Sequence, residues 1–104
     1  MKESINLFDE EGWQPAKEYP ENTRKKILRE KNGEKTILLN LPKNFSMPAH
    51  SHIAGEQHIV LKGSYKSDGE IYETGTYRTI EPHANHGPFE SEEGALVLVI
   101  WNQV

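Results

Sequence analysis

His50 and His52 stand two residues apart, Glu56 follows four residues after the second, and Gly63 lies seven beyond that. Imidazole and carboxylate side chains together make a ligand set for a transition metal. All five histidines of the chain, His50, His52, His58, His83 and His86, fall between positions 50 and 86, and the first 49 residues hold none. Histidines kept only for solubility would be spread more evenly. The chemistry of the chain is therefore expected to centre on residues 45–63.

Strands are the natural carriers of such residues. Positions i and i+2 of a strand face the same way, so His50 and His52 would present their imidazoles side by side. Ile53-Ala54-Gly55 reads as a turn or bulge, after which Glu56 opens the strand Gln57–Lys62, closed by Gly63. On that strand Glu56, His58 and Val60 share a face, which places His58 one step deeper than Glu56. His86, after a proline-containing turn, is available as a fourth ligand. A lone His-x-His pair is most often two exposed strand residues; the added glutamate, the distant histidine and the flanking glycines favour a metal.

The rest of the chain reads as short strands between turns. Ser4–Phe8 could form an edge strand, Asp9–Gly12 a turn, and Trp13 a lid over one end of the core. Pro15, Pro20 and Asn22 oppose a helix in residues 1–22, an N-terminal strand or lid segment. Thr23–Glu30 and Lys35–Leu41 flank Asn32-Gly33, the signature of a β-hairpin. Asp68-Gly69 and Gly75 punctuate short polar strands over 64–80, and Ala95–Trp101 is the most apolar segment. Six to ten short strands without helical periodicity predict a single all-β domain over residues 1–104. Ile59-Val60-Leu61 and Leu96–Trp101 do not alternate in polarity, so both of their faces need cover. One face can line a barrel; the N-terminal segment or a second subunit must cover the other, and a homodimer is the more economical solution.

Composition narrows the function classes. Twelve basic against sixteen acidic residues leave a formal charge of −4, no footprint for nucleic acid or an anionic membrane. With no cysteine there is no disulfide, thiolate ligand or cysteine nucleophile. Neither a signal peptide nor a membrane span is visible, so a cytoplasmic protein is expected.

The spacing His50-x-His52-x3-Glu56-x6-Gly63 resembles the first motif of the cupin superfamily. Gly75 and His86 keep the overall spacing of the second motif, over residues 75–90. Within it, Glu81 stands where proline is usual, Pro82 follows, His83 takes the place of the second glycine, and Glu90 stands where asparagine is often found. Within the superfamily the chain is most similar to the cupin domains related to the C-terminal half of ChrR-like zinc anti-sigma factors. That resemblance covers roughly residues 13–101 and is carried by Trp13, Lys26-Ile27-Leu28, Pro48-x-His50-x-His52, Gly55-Glu56-x3-Val60-Leu61-x-Gly63, Gly75-Thr76-Tyr77-Arg78 and His86-x-Pro88-Phe89.

The resemblance implies a double-stranded β-helix (jelly roll), usually dimeric, with one metal held by His50, His52, Glu56 and His86. Three histidines and a carboxylate suit Zn, Fe, Mn, Ni or Cu, so the expected cofactor is one divalent transition metal (Fe, Zn, Mn or Ni). Related stand-alone cupins are similar to dioxygenases that cleave β-diketones or aryl ketones at a non-haem iron. On that reading a small molecule is the substrate, His58 is the candidate catalytic residue, and Tyr65, Tyr77, Arg78 and Phe89 are candidate pocket residues. His58 could equally donate to a ligand, shuttle protons or sit buried against backbone. The alternatives are a sensor or regulatory cupin that binds metal or a small ligand without turnover, and a metal-free cupin like some sugar-nucleotide epimerases. The anti-sigma relatives add a helical domain with cysteine and histidine zinc ligands. A sigma-binding role of that kind is not expected of a chain without cysteine.

Overall fold

The computed structural model describes residues 4–50 and 55–101. These form nine strands: β1 (Gln14–Pro15), β2 (Arg24–Lys31), β3 (Glu34–Leu41), β4 (Phe45–Met47), β5 (Glu56–Ser67), β6 (Glu70–Glu73), β7 (Tyr77–Ile80), β8 (Phe89–Ser91) and β9 (Ala95–Trp101). All pairings are antiparallel. The larger sheet runs β1-β2-β3-β9-β5-β7 and the smaller β4-β8-β5-β6. β5 belongs to both: residues 56–63 pair with β9 in the larger sheet, and 64–67 pair with β6 in the smaller. This is the all-β, double-stranded β-helix architecture, and no described residue is helical.

Local sequence explains the hairpins. Asn32 (φ 53°) and Gly33 (φ 82°) both adopt the left-handed conformation of a two-residue I′ turn, whose twist matches the strands it joins. Asp68 (φ 53°) and Gly69 (φ 81°) do the same between β5 and β6. Inside, alternate residues of each strand meet: Ile37, Leu39 and Leu41 from β3, Val97 and Val99 from β9, Phe45 from β4 and Phe89 from β8. Burying each of these larger apolar side chains contributes about 1.5–3 kcal/mol.

Three expectations are corrected. Ser4–Phe8 is not a strand; the first pairing on β2 is made by Gln14 and Pro15. Gly63 does not close its strand, because β5 continues to Ser67 through an irregularity between Val60 and Lys62. Gly63 is required there for another reason: its φ is 71°, and a Cβ would collide with the Gly94 carbonyl oxygen. Trp13 is no lid on the core. It lies on the outer side, with the Lys26 ammonium 5.0 Å and the Arg24 guanidinium 5.5 Å from its ring. Ala16 and Tyr19 reach the core instead.

The missing alternation of β9 also finds a cause. Its odd residues face the interior, whereas Leu96 faces an outer groove shared with Leu7, Phe8 and Trp13. On the same outer side Leu38, paired with Lys26 and Leu98 on the flanking strands, is fully buried. Lys26 is 6% exposed, its ammonium donating to the Asp9 carbonyl at 3.0 Å. The N-terminal segment thus covers part of the second face.

Candidate metal centre

Glu56 and His58 project inward from β5, as strand parity predicts, and are 7% and 8% exposed. His58 Nε2 lies 3.1 Å from Glu56 Oε1, and His58 Nδ1 lies 2.7 Å from the Tyr65 hydroxyl. In a regular strand His58 and Tyr65, seven apart, would face opposite ways. The inserted residue between Val60 and Lys62 reverses the alternation, so both point inward. Burial pushes the Tyr65 hydroxyl up, and the hydrogen bond and charge of Arg78 offset this only in part, so Tyr65 keeps its proton.

Arg78 pairs in register with His58 across β7 and β5. Its Nη1 donates to the Tyr65 hydroxyl at 3.3 Å and its Nη2 to Asp68 Oδ2 at 2.8 Å. The guanidinium stacks over the Tyr72 ring at 4.4 Å, with Phe89 at 5.8 Å. Asp68 Oδ1 accepts from the Gly87 amide at 3.0 Å and Oδ2 from the Ser67 hydroxyl at 3.0 Å. Burial acts to raise the Asp68 carboxyl, but Gly87, Ser67 and Arg78 outweigh it and hold it below the usual carboxylate range. His86 Nδ1 lies 3.7 Å from Asp68 Oδ2.

The two motifs meet at His50 and His86. Their backbones exchange both hydrogen bonds, His50 N to His86 O at 2.9 Å and His86 N to His50 O at 2.8 Å. Residues opposed in this way in an antiparallel bridge carry their side chains on one face. His50 Nδ1 lies 3.1 Å from the Pro48 carbonyl, which only accepts, so that nitrogen is the donor. His86 Nε2 is buried and has no hydrogen-bond partner among the described residues. A buried ring nitrogen without a partner is costly unless something else fills its lone pair. The donor types fit a transition metal. Among the described residues, however, no three His, Cys, Asp or Glu side chains gather closely enough to hold one. His52, expected between His50 and Glu56, lies outside the described residues, as do Ile53 and Ala54 of the segment expected to form a turn or bulge.

An interior cavity of about 40 Å³ is lined by His50, Glu56 and His58 together with the apolar Leu39, Val97 and Val99. A wider groove of about 520 Å³, walled by Lys25, Lys35, Ile37 and Trp101, shares Tyr19, Met47 and His50 with it. The interior therefore opens toward solvent beside His50. Burial, with the charges of Glu56 and Glu18, drives the Tyr19 hydroxyl far above its ordinary value, so it remains a neutral donor at this opening.

Of the candidate pocket residues, Tyr65 and Phe89 line the interior cavity, and Arg78 packs behind them. Tyr77 does not join them: it is 58% exposed and donates to Gln57 Oε1 at 2.7 Å on the outer face. His83 is an exposed turn residue at φ 64°, the left-handed conformation that suits a glycine in its place. Asp68 and Tyr19 were not singled out by the sequence. Asp68 reads there as half of an Asp-Gly turn, and only its fold-back onto Arg78 and Gly87 gives it a further role.

The sequence matches the family profile described as the ChrR Cupin-like domain over residues 2–104. Among solved structures, an acetylacetone dioxygenase from Acinetobacter johnsonii superimposes with a TM-score of 0.78 at 16% identity, covering 97% of this chain and 74% of that one. An RmlC-like cupin from Ralstonia eutropha JMP134 gives 0.76 at 20% identity, over 88% and 62%. The Rhodobacter sphaeroides SigE complex with the anti-sigma ChrR gives 0.71 at 19% identity, over 86% of this chain but only 49% of that one. The chain thus spans about half of the ChrR-complex chain and under two thirds of the Ralstonia cupin. No protein of curated function matches the sequence. Identities this low speak for the fold alone, but the profile match extends over nearly the whole sequence, and with it the chain belongs to the ChrR cupin-like domain family.

Proposed function

We propose that this chain is a metal-binding cupin that holds one divalent transition metal (Fe, Zn, Mn or Ni) through His50, His52, Glu56 and His86. We further propose that it acts as a dioxygenase on a small diketone-like molecule. The observation that carries the metal reading is His86 Nε2, a buried ring nitrogen without a hydrogen-bond partner among the described residues, in a residue bridged to His50. Bound there, a transition metal supplies Lewis-acid polarisation and, for a redox-active ion, one-electron chemistry. Likeness to the acetylacetone dioxygenase supports the substrate class.

The chain's own residues would do the rest. The space beside His50, Glu56 and His58 is water-sized, so the body of a ligand is held in the groove by Ile37, Met47 and Trp101. Tyr19 offers a hydroxyl donor at the opening. His58 bonds to Glu56 and orients it. A regulatory cupin that binds metal or ligand without turnover is the second reading, favoured by the ChrR family profile. A homodimer is part of the proposal: Ile59, Leu98 and Ile100 are only partly buried on the outer face of β5 and β9, beside the exposed Tyr77.

Elemental analysis of wild type and of His52→Ala and His86→Ala tests the metal. About one ion per chain is expected in wild type and a loss in both variants. A wild type that stays metal-free after refolding with Fe, Zn, Mn and Ni refutes the reading. Oxygen uptake by the iron-loaded protein with acetylacetone and other β-diketones then separates the enzyme, which consumes oxygen, from the binder, which does not.

A further inference from the structure

We propose that Arg78 is a positioning residue that sets both halves of the metal site at once, a role that rests on the metal reading above. A guanidinium has five donors and no acceptor, so the polarity of every bond leading from it is determined. Toward the first motif, Arg78 Nη1 donates to the Tyr65 oxygen. The Tyr65 hydrogen must then go elsewhere, and its other partner among the described residues is His58 Nδ1 at 2.7 Å. His58 Nδ1 accepts, so Nε2 carries the hydrogen and donates to Glu56 Oε1 at 3.1 Å. The chain Arg78–Tyr65–His58–Glu56 runs one way and orients the carboxyl of a proposed ligand.

The second arm reaches the other motif. Arg78 Nη2 holds Asp68 Oδ2 at 2.8 Å while Asp68 Oδ1 takes the amide of Gly87, the residue after His86. The backbone carrying His86 is thereby pinned from the β5–β6 turn. His86 Nδ1 lies 3.7 Å from the same carboxylate, beyond hydrogen-bond distance, so Asp68 acts on the ring as a nearby negative charge that favours a hydrogen on Nδ1 and the lone pair on the buried Nε2. A carboxylate behind the non-ligating nitrogen is how proteins set the tautomer and orientation of a ligating histidine. Arg78 can serve both arms because its fork spans two acceptors and its plane is clamped on Tyr72. A lysine could hold one arm only. Its side chain, 9% exposed, is buried for a cation, which the two arms explain.

Two readouts test this. Long-range proton–nitrogen spectra of histidine-labelled, metal-free protein should show His58 as the Nε2–H tautomer and His86 as the Nδ1–H tautomer in wild type. Arg78→Met should convert both to mixtures. Titration with Zn²⁺ and Fe²⁺ should give an affinity about 10–100-fold weaker in Arg78→Met, with Arg78→Lys recovering only part. Should Arg78→Met fail to fold, Tyr65→Phe and Asp68→Asn each sever one arm, and each should disturb one histidine, His58 and His86 respectively. If wild type binds metal and folded variants bind it equally with unchanged tautomers, Arg78 has no such role. A wild type that takes up no metal overturns the metal reading, and this inference with it, and is told apart by the wild-type titration alone.

Discussion

His58 has a partner on each ring nitrogen, Tyr65 on one side and Glu56 on the other. Neither partner is backbone, and the contact with Glu56 fits the orienting role proposed for His58. The spacing Glu56-x-His58 made the shared face legible, because strand alternation needs nothing beyond the local chain. The partner Tyr65 was legible only as a pocket candidate, since its face depends on the inserted residue. A second pair carries a pH prediction. Burial raises the Glu18 carboxyl, but the hydrogen bond and charge of Lys25, at 2.7 Å, outweigh it and hold it below its ordinary value of 4.5. A folded-state value lowered in this way contributes stability above the unfolded value, and that stability is lost as pH falls through the folded one. Glu18→Gln should therefore melt slightly lower than wild type near pH 7, and the difference should shrink toward about pH 3. The effect is small because Glu18 is half-exposed. Thermal melts at both pH values check it, and a constant difference refutes it.

At the scale of elements, β5 does most of the organising. Its first half carries Glu56 and His58 in the larger sheet, its second half carries Tyr65 and Ser67 in the smaller, and the irregularity before Gly63 joins them. The left-handed φ of Gly63 costs a residue with a side chain about 1–2 kcal/mol, and a collision with the Gly94 carbonyl adds to that. Gly63→Ala should lower the denaturation midpoint by more than that backbone cost alone, and it should also loosen the bond between His58 and Tyr65. Chemical denaturation together with histidine NMR would reveal this, and wild-type stability in the variant would contradict it. From sequence, Gly63 looked like the end of a strand because glycine usually breaks one. Pairing with β9 kept the strand going.

At the scale of the whole molecule, the question is what covers the outer faces of β5 and β9. The N-terminal segment lies against Leu96 and Lys26, whereas Ile59, Leu98 and Ile100 stay partly exposed beside Tyr77. A second copy seated there would bury these residues, and Tyr77 is exposed enough that replacing it should spare the core. Light scattering at micromolar concentration should therefore give a dimeric mass for wild type and a monomeric one for Tyr77→Glu. A monomeric wild type overturns the dimer.

By itself the sequence determined the class of fold and the hairpin turns, and it named the side chains proposed here as metal donors. Hairpin turns, strand alternation and motif spacing are local, and each is encoded within a few residues of where it acts. Tertiary structure alone decided which distant groups meet. It bridged His50 to His86, brought Asp68 back onto Arg78 and Gly87, and sent Trp13 outward while Tyr19 turned in. Those contacts depend on which strands pair and where one extra residue enters a ladder. Sheet pairing is set by the burial of the whole core, and no local periodicity encodes it.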